Sequence, residues 1–323
     1  MGGMPLWLFI VLMVLAAVVV FFLLPTLVIA NGIYFVTLTR FSKKKWTRGP
    51  SMDEPIYMEM FRQGQVWREE HLDAKKDVHI VNEGLNLYGE YYDFGHKRAA
   101  LILPGRMETC LYGCYFAEPY RAAGYNVLTY DNRAHGLSDG HFNSLGYKEY
   151  RDVLAWCRML HDSYGIEEIV LHGICIGSSC ALFAITAPEC PDYVKCMVAD
   201  GMYTRFYDTF ITHMKELGHK SEFPVPQEHA MLLRIFSGAN VVTDGPFKRI
   251  RDLKKPILFI HSREDIFSIP EKTVKLAETC TAPKRFVWFE HGYHSKLRIV
   301  DPELYDSSIH SFLTEVAGME ETS

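Results

Sequence analysis

Six short apolar runs constrain the fold of this chain more than any other feature: AALILP (99–104), NVLTY (126–130), EIVLHG (168–173), VKCMVAD (194–200), PILFIHS (256–262) and RFVWFE (285–290). Strands that are apolar on both faces must be covered on both faces, and helix-period text lies between most of them. The pattern therefore predicts an α/β architecture with a mostly parallel central sheet flanked by helices. In one covering segment, GYKEYRDVLAWCRMLHDSYG, the residues Tyr147, Tyr150, Val153, Leu154, Cys157 and Leu160 recur at spacings of three and four and are expected in the core. Ahead of the runs, DVHIV and LNLYGEYYDF alternate around NEG and predict a two-stranded hairpin. Residues 202–255 form an unusually long interval between two strands, with FYDTFITHMKEL and EHAMLLRIF inside it. It is expected to be a cap inserted above the sheet, with Phe206, Phe210, Met214, Leu232, Leu233 and Phe236 bordering a pocket.

The most apolar stretch lies at the other end of the chain. From Pro5 to Thr39 no charged side chain occurs. About 20 such residues cross roughly 30 Å of hydrocarbon, so a membrane-spanning helix is expected. A cleaved leader would want a positively charged start and a shorter apolar run. RFSKKKWTR follows at 40–48. Lys and Arg gathered beside a span mark its cytoplasmic end, which makes the expected arrangement single-pass with the main domain in the cytoplasm. The eight cysteines all lie beyond residue 100, in keeping with free thiols in a reducing compartment. Cys110 and Cys114 stand alone as C-x3-C, a poor zinc pattern, and no metal or organic cofactor is expected. A net charge of -5 argues against nucleic acid as a partner. The expected organisation is an anchor over 1–39, a basic juxtamembrane segment and linker helix over 40–76, an α/β core over 77–201 and 256–316, and the cap over 202–255.

Chemistry enters at VLHGICIGSSCALFA (170–184), which reads as strand, tight turn and helix. Such an elbow holds its central residue, Cys175, in a strained conformation above the sheet edge. Gly173 and Gly177 flank it because a side chain there would collide. The helix starting at Ile176 points its free N–H groups at the sulfur, an arrangement that favours a thiolate and a developing oxyanion. A nucleophile of this kind needs a carboxylate and then a histidine, each after a later strand. PILFIHSREDIFSIP offers Asp265, with Glu264 beside it, and RFVWFEHGYHSKL offers His294, with His291 as its rival.

With these motifs together, the sequence resembles the α/β-hydrolase superfamily over roughly residues 77–316. The superfamily's D-x-R-G-H-G-x-S segment corresponds to DNRAHGLSD (131–139), with Ala134 in place of the first glycine. LILPGRMET is similar to its oxyanion strand and loop, with Pro104 where a histidine is usual. GYHSK is similar to the histidine loop of the monoacylglycerol lipase and serine-aminopeptidase-like branch, a resemblance that favours His294 over His291. The elbow cysteine is similar to that of dienelactone hydrolases. The resemblance implies a triad of Cys175, Asp265 and His294, an oxyanion hole from the backbone N–H groups of Arg106 and Ile176, and a loop braced by Asp131 and Arg133. His172 and Cys180 are expected to be packing residues. The activity so implied is a membrane-anchored hydrolase cleaving an ester or thioester through an acyl-enzyme, with a small or lipidic acyl substrate. A non-catalytic binding scaffold and an acyltransferase are the alternatives.

Overall fold

The computed structural model describes residues 4–41, 48–50, 54–216, 218 and 222–321. Most of the basic stretch expected to orient the chain, residues 42–47, lies outside the described residues. Eight strands form one sheet: β1 (Lys75–Asn82), β2 (Leu85–Tyr92), β3 (Arg98–Leu103), β4 (Asn126–Tyr130), β5 (Glu168–Ile174), β6 (Val194–Asp200), β7 (Ile257–Ser262) and β8 (Lys284–Phe289). Their spatial order is β1-β2-β4-β3-β5-β6-β7-β8. The first two form the hairpin, closed by Glu83 and Gly84 at φ 49° and 77°, the paired positive φ values that suit the twist of a tight hairpin. β2 runs antiparallel to β4, and from β4 to β8 every pairing is parallel.

The order reverses around β3, so the chain leaves β3 toward one side of the sheet and β5 toward the other. A crevice opens above the carboxyl ends of the strands at such a point. The loop after β3 and the elbow after β5 both border it. Beneath, five of the six apolar runs are buried between two layers, and the sixth, the edge strand β8, is only partly buried. On one face lie the helices Glu149–Tyr164 and Ile176–Ile185, and on the other Pro302–Glu321 together with Pro55–Glu70.

Two elements differ from expectation. In Glu149–Tyr164 the residues Val153, Leu154, Cys157 and Leu160 are buried as periodicity predicts, but Glu149 and Asp152 are buried with them. Each is fully engaged: Glu149 accepts the N–H groups of Ser144 and Gly146 at 2.8 Å, and Asp152 pairs with Arg133. The helix Pro55–Glu70, expected as a linker, is part of the body. It buries Met60, Gly64 and Trp67, and its Arg68 Nε donates to Glu90 in β2 at 2.7 Å.

The N-terminal helix is long and apolar enough to cross a membrane, running from Leu6 to Leu38. Proline at position 25 has no N–H to give and crowds the carbonyl four residues back, and the helix accommodates this with a π turn over Val19–Leu23. Beyond that turn Ala30, Tyr34 and Leu38 are fully buried against the cap helix Val225–Ser237. Thr26 Oγ1 donates to Glu228 in that helix at 3.0 Å. The cap interval contains Val225–Ser237 and Phe206–Glu216. Phe210, Met214, Leu232 and Leu233 are buried, and Phe236 is 41% exposed and stacks on Tyr34 and Phe142. Its ring contacts are thus to the N-terminal helix and the loop at 142.

Candidate active site

Cys175 sits at φ 55°, ψ -114° between the end of β5 and the first turn of Ile176–Ile185. That conformation is strained for any residue with a Cβ, and neighbouring contacts hold it there. Its N–H donates to Asp200 O at 2.9 Å, and Ser178 Oγ bonds the carbonyls of both Gly173 and Asp200. The glycines permit the close approach. A Cβ on Gly177 would lie 2.3 Å from Leu103 O, and one on Gly173 would lie 2.4 Å from the Gly177 carbonyl. Strand β3, its loop and the elbow therefore touch backbone to backbone.

The loop after β3 carries Arg106. Among the described residues neither the backbone N–H of Arg106 nor that of Ile176 is taken by a carbonyl. Next to them Glu108 folds back so that its Oε2 accepts the Gly105 N–H at 2.7 Å. Burial pushes that carboxyl up to about 7.

Asp265 and His294 come together across the loops that follow β7 and β8. Asp265 Oδ1 accepts the N–H groups of Phe267 and Ser268 at 2.8 and 2.7 Å, which fixes the carboxylate, and Oδ2 accepts His294 Nδ1 at 2.8 Å. Burial opposes ionisation of Asp265, but His294 outweighs it and holds the carboxyl below its usual range. Burial likewise opposes charging of His294, yet Asp265 and Cys175 overcome it and raise the imidazole well above its ordinary value. His294 Nε2 is buried and has no hydrogen bond among the described residues. The rivals lie elsewhere: His291 Nδ1 meets Glu264 Oε1 at 3.1 Å, with the histidine side chain 83% exposed.

The supporting residues behave in two ways. Asp131 and Arg133 do brace the loop, though with separate partners. Asp131 takes the N–H groups of Cys110 and Leu137. Arg133 makes two 2.7 Å bonds to Asp152. Ala134 holds φ 66°, the left-handed conformation that glycine would adopt without strain. His172 is buried, its Nε2 3.1 Å from Tyr305 Oη, and burial lowers it to about 3. Cys180 is buried in the core, and its thiol is raised well above the usual range by that burial. Cys110 and Cys114 are occupied separately, by Arg48 and by Tyr92 Oη, at 3.3 Å each. No group of three metal-ligating side chains converges among the described residues.

Comparison with known proteins matches this architecture. Residues 101–247 fit the family model described as the α/β hydrolase fold. The esterase Pf2001 of Pyrococcus furiosus superimposes with a TM-score of 0.66 at 24% identity, covering 77% of this chain and 93% of that one. The chain has the α/β-hydrolase fold. An α/β hydrolase from Vibrio vulnificus is similar at TM-score 0.60 and 19% identity, over 82% of this chain and 96% of that one. In sequence, the uncharacterized protein YqkD of Bacillus subtilis (strain 168) is 26% identical over 295 residues, 90% of this chain and 94% of its own length.

Within this α/β-hydrolase fold, several groups at the site escaped sequence reasoning. Asp200, at the end of β6, is fully buried, bonded by Tyr305 Oη at 2.8 Å, and pushed up to about 7 by burial. Its place at the carboxyl end of an apolar run was the only available signal. Glu108 and the docked face of the N-terminal helix had none, because each depends on a partner distant in sequence or on a turn that no pattern announces.

Proposed function

We propose that the protein is a membrane-anchored hydrolase that cleaves an ester or thioester through a covalent acyl-cysteine. The observation that carries this reading is the Asp265–His294 pair, joined at 2.8 Å, with the free Nε2 edge of the ring beside an elbow cysteine at φ 55°. Cys175 Sγ attacks the acyl carbonyl while His294 accepts its proton. The N–H groups of Arg106 and Ile176 stabilise the oxyanion, and His294 returns the proton to the leaving oxygen or sulfur. Water, deprotonated by the same imidazole, then attacks the acyl-cysteine and restores the thiol. Asp265 keeps the ring oriented and stabilises the imidazolium.

The apolar helix supports a retained span, and the basic residues after it support a cytoplasmic site. The cap and the adjoining helix, both apolar, support a lipidic acyl group. Cys175→Ala, which adds no bulk to the elbow, is expected to reduce ester turnover by at least a thousandfold with an unchanged melting temperature. Cys175→Ser is expected to gain labelling by a fluorophosphonate probe. Parent-like turnover by Cys175→Ala in a chromogenic ester assay would refute the assignment.

A further inference from the structure

Residues 4–22 of the N-terminal helix are almost entirely exposed. At 1.5 Å per residue the whole helix, Leu6–Leu38, is about 50 Å long against roughly 30 Å of hydrocarbon, so when it is tilted part of its second half lies at leaflet depth. Burial begins just past residue 22, where the cap arrives. Phe22 stacks with Phe223, in the loop before the cap helix, at 6.4 Å between ring centroids. Four residues on, Thr26 bonds Glu228, and Tyr34 then packs on His229 and Phe236. The cap helix thus starts beside the middle of the apolar helix Leu6–Leu38 and runs alongside its second half, which is as free of charged side chains as the first.

We propose that this edge of the cap is itself seated in the lipid leaflet, and that the acyl group reaches Cys175 sideways from the bilayer, between the cap helix and Leu24–Leu38. This rests on the reading of Leu6–Leu38 as a retained span. The outer faces of both elements are apolar where a water-facing surface would be polar: Phe223 is 58% exposed, Met231 46%, Ile235 64%, Val28 70% and Ile29 50%. A continuous apolar face shared with a spanning helix is covered by the same lipid that covers the helix. The exposed Arg234 between Met231 and Ile235 sets the depth, since its aliphatic stem lies along the apolar face while its guanidinium reaches the phosphates. The inner faces complete the route. Ala30, Tyr34 and Leu233 belong to one buried apolar cluster with Leu145 and Ile176, and Cys175 packs against it. A single packed apolar layer thus connects the leaflet to the candidate nucleophile, and an acyl chain reaches Cys175 along it by parting the cap helix from Leu24–Leu38.

The test uses the full chain in liposomes of phosphatidylcholine and phosphatidylglycerol. Ile235→Cys labelled with bimane, corrected for label taken up by the parent, is expected to be quenched at least twofold by a lipid carrying a nitroxide high on its acyl chain, and little by aqueous iodide. The reverse in protein that floats with the liposomes overturns the leaflet seat alone, whereas failure to float overturns the span and the seat together. In parallel, the double variant M231D/I235D is expected to lose at least tenfold in turnover of a long-chain ester dispersed in the bilayer, while a short water-soluble ester is cleaved within twofold of the parent rate. Equal losses on both esters, or none, count against lateral entry. If the parent cleaves neither ester, the proposed function fails and the quenching still decides the seat.

Discussion

At the scale of single residues, the site is a set of ionisable groups held out of water, where a charge persists only if the protein supplies its partners. Asp265 remains ionised in a buried position because two backbone N–H groups and His294 surround it. Glu108 has no cation bonded to it among the described residues, and burial keeps its proton on to about 7 against an ordinary value of 4.5. The consequence for stability has a definite sign. Between those two values the unfolded chain gives up the proton and the folded chain keeps it, so stability falls as pH rises through that window and stays lower above it. A shift of this size corresponds to about 3 kcal/mol at most. Glu108→Gln keeps an acceptor for the Gly105 N–H, so it is expected to be more stable than the parent by about 1–3 kcal/mol at pH 8. The advantage should vanish below about pH 4.5. Thermal melts across pH in detergent would reveal this, and a constant difference at all pH values would refute the origin given for it.

At the scale of elements, what could be read in advance was whatever repeats or whatever is local. The six apolar runs became six adjacent, parallel strands because each carries its burial requirement in consecutive residues. The elbow was legible from two glycines around one cysteine, and the structure supplies the reason in the carbonyl oxygens that would meet any added Cβ. Gly177→Ala is accordingly expected to cost more than 4 kcal/mol, since the colliding atoms are backbone and cannot rotate away. Protein that melts within a few degrees of the parent would contradict that. What stayed hidden depended on partners far away in sequence. Asp131 and Arg133 brace the loop as expected, but nothing in the pattern named Asp152 as the partner of Arg133, and nothing named Tyr34 as the ring on which Phe236 stacks. Periodicity identifies a buried face but does not name what buries it. Glu149 and Asp152, charged and buried on the face of one helix, also run against the apolar-inside rule, and only their hydrogen bonds account for them.

At the scale of the whole molecule, the long apolar N-terminal helix is packed into the body that carries the candidate site, and the proposed topology becomes a testable property of the fold. Under the proposed cytoplasmic orientation, protease added to intact cells is expected to leave residues beyond 54 undigested and to cleave them only after permeabilisation. Digestion without permeabilisation would reverse the assigned orientation. The docking of the first helix on the cap also has a history in time. The contact between Thr26 and Glu228 joins residues 202 positions apart. At about 5–20 residues per second, a ribosome needs roughly 10 to 40 s to travel that distance. The helix must therefore enter its surroundings alone, carrying Tyr34 and Leu38 uncovered, while the sheet assembles behind it. The elbow is synthesised before the cap, and the cap before Asp265 and His294, so under the proposed mechanism Cys175 exists before the groups that would activate it. Under that mechanism a nascent chain is silent by order of synthesis until its last two strands and their loops are made.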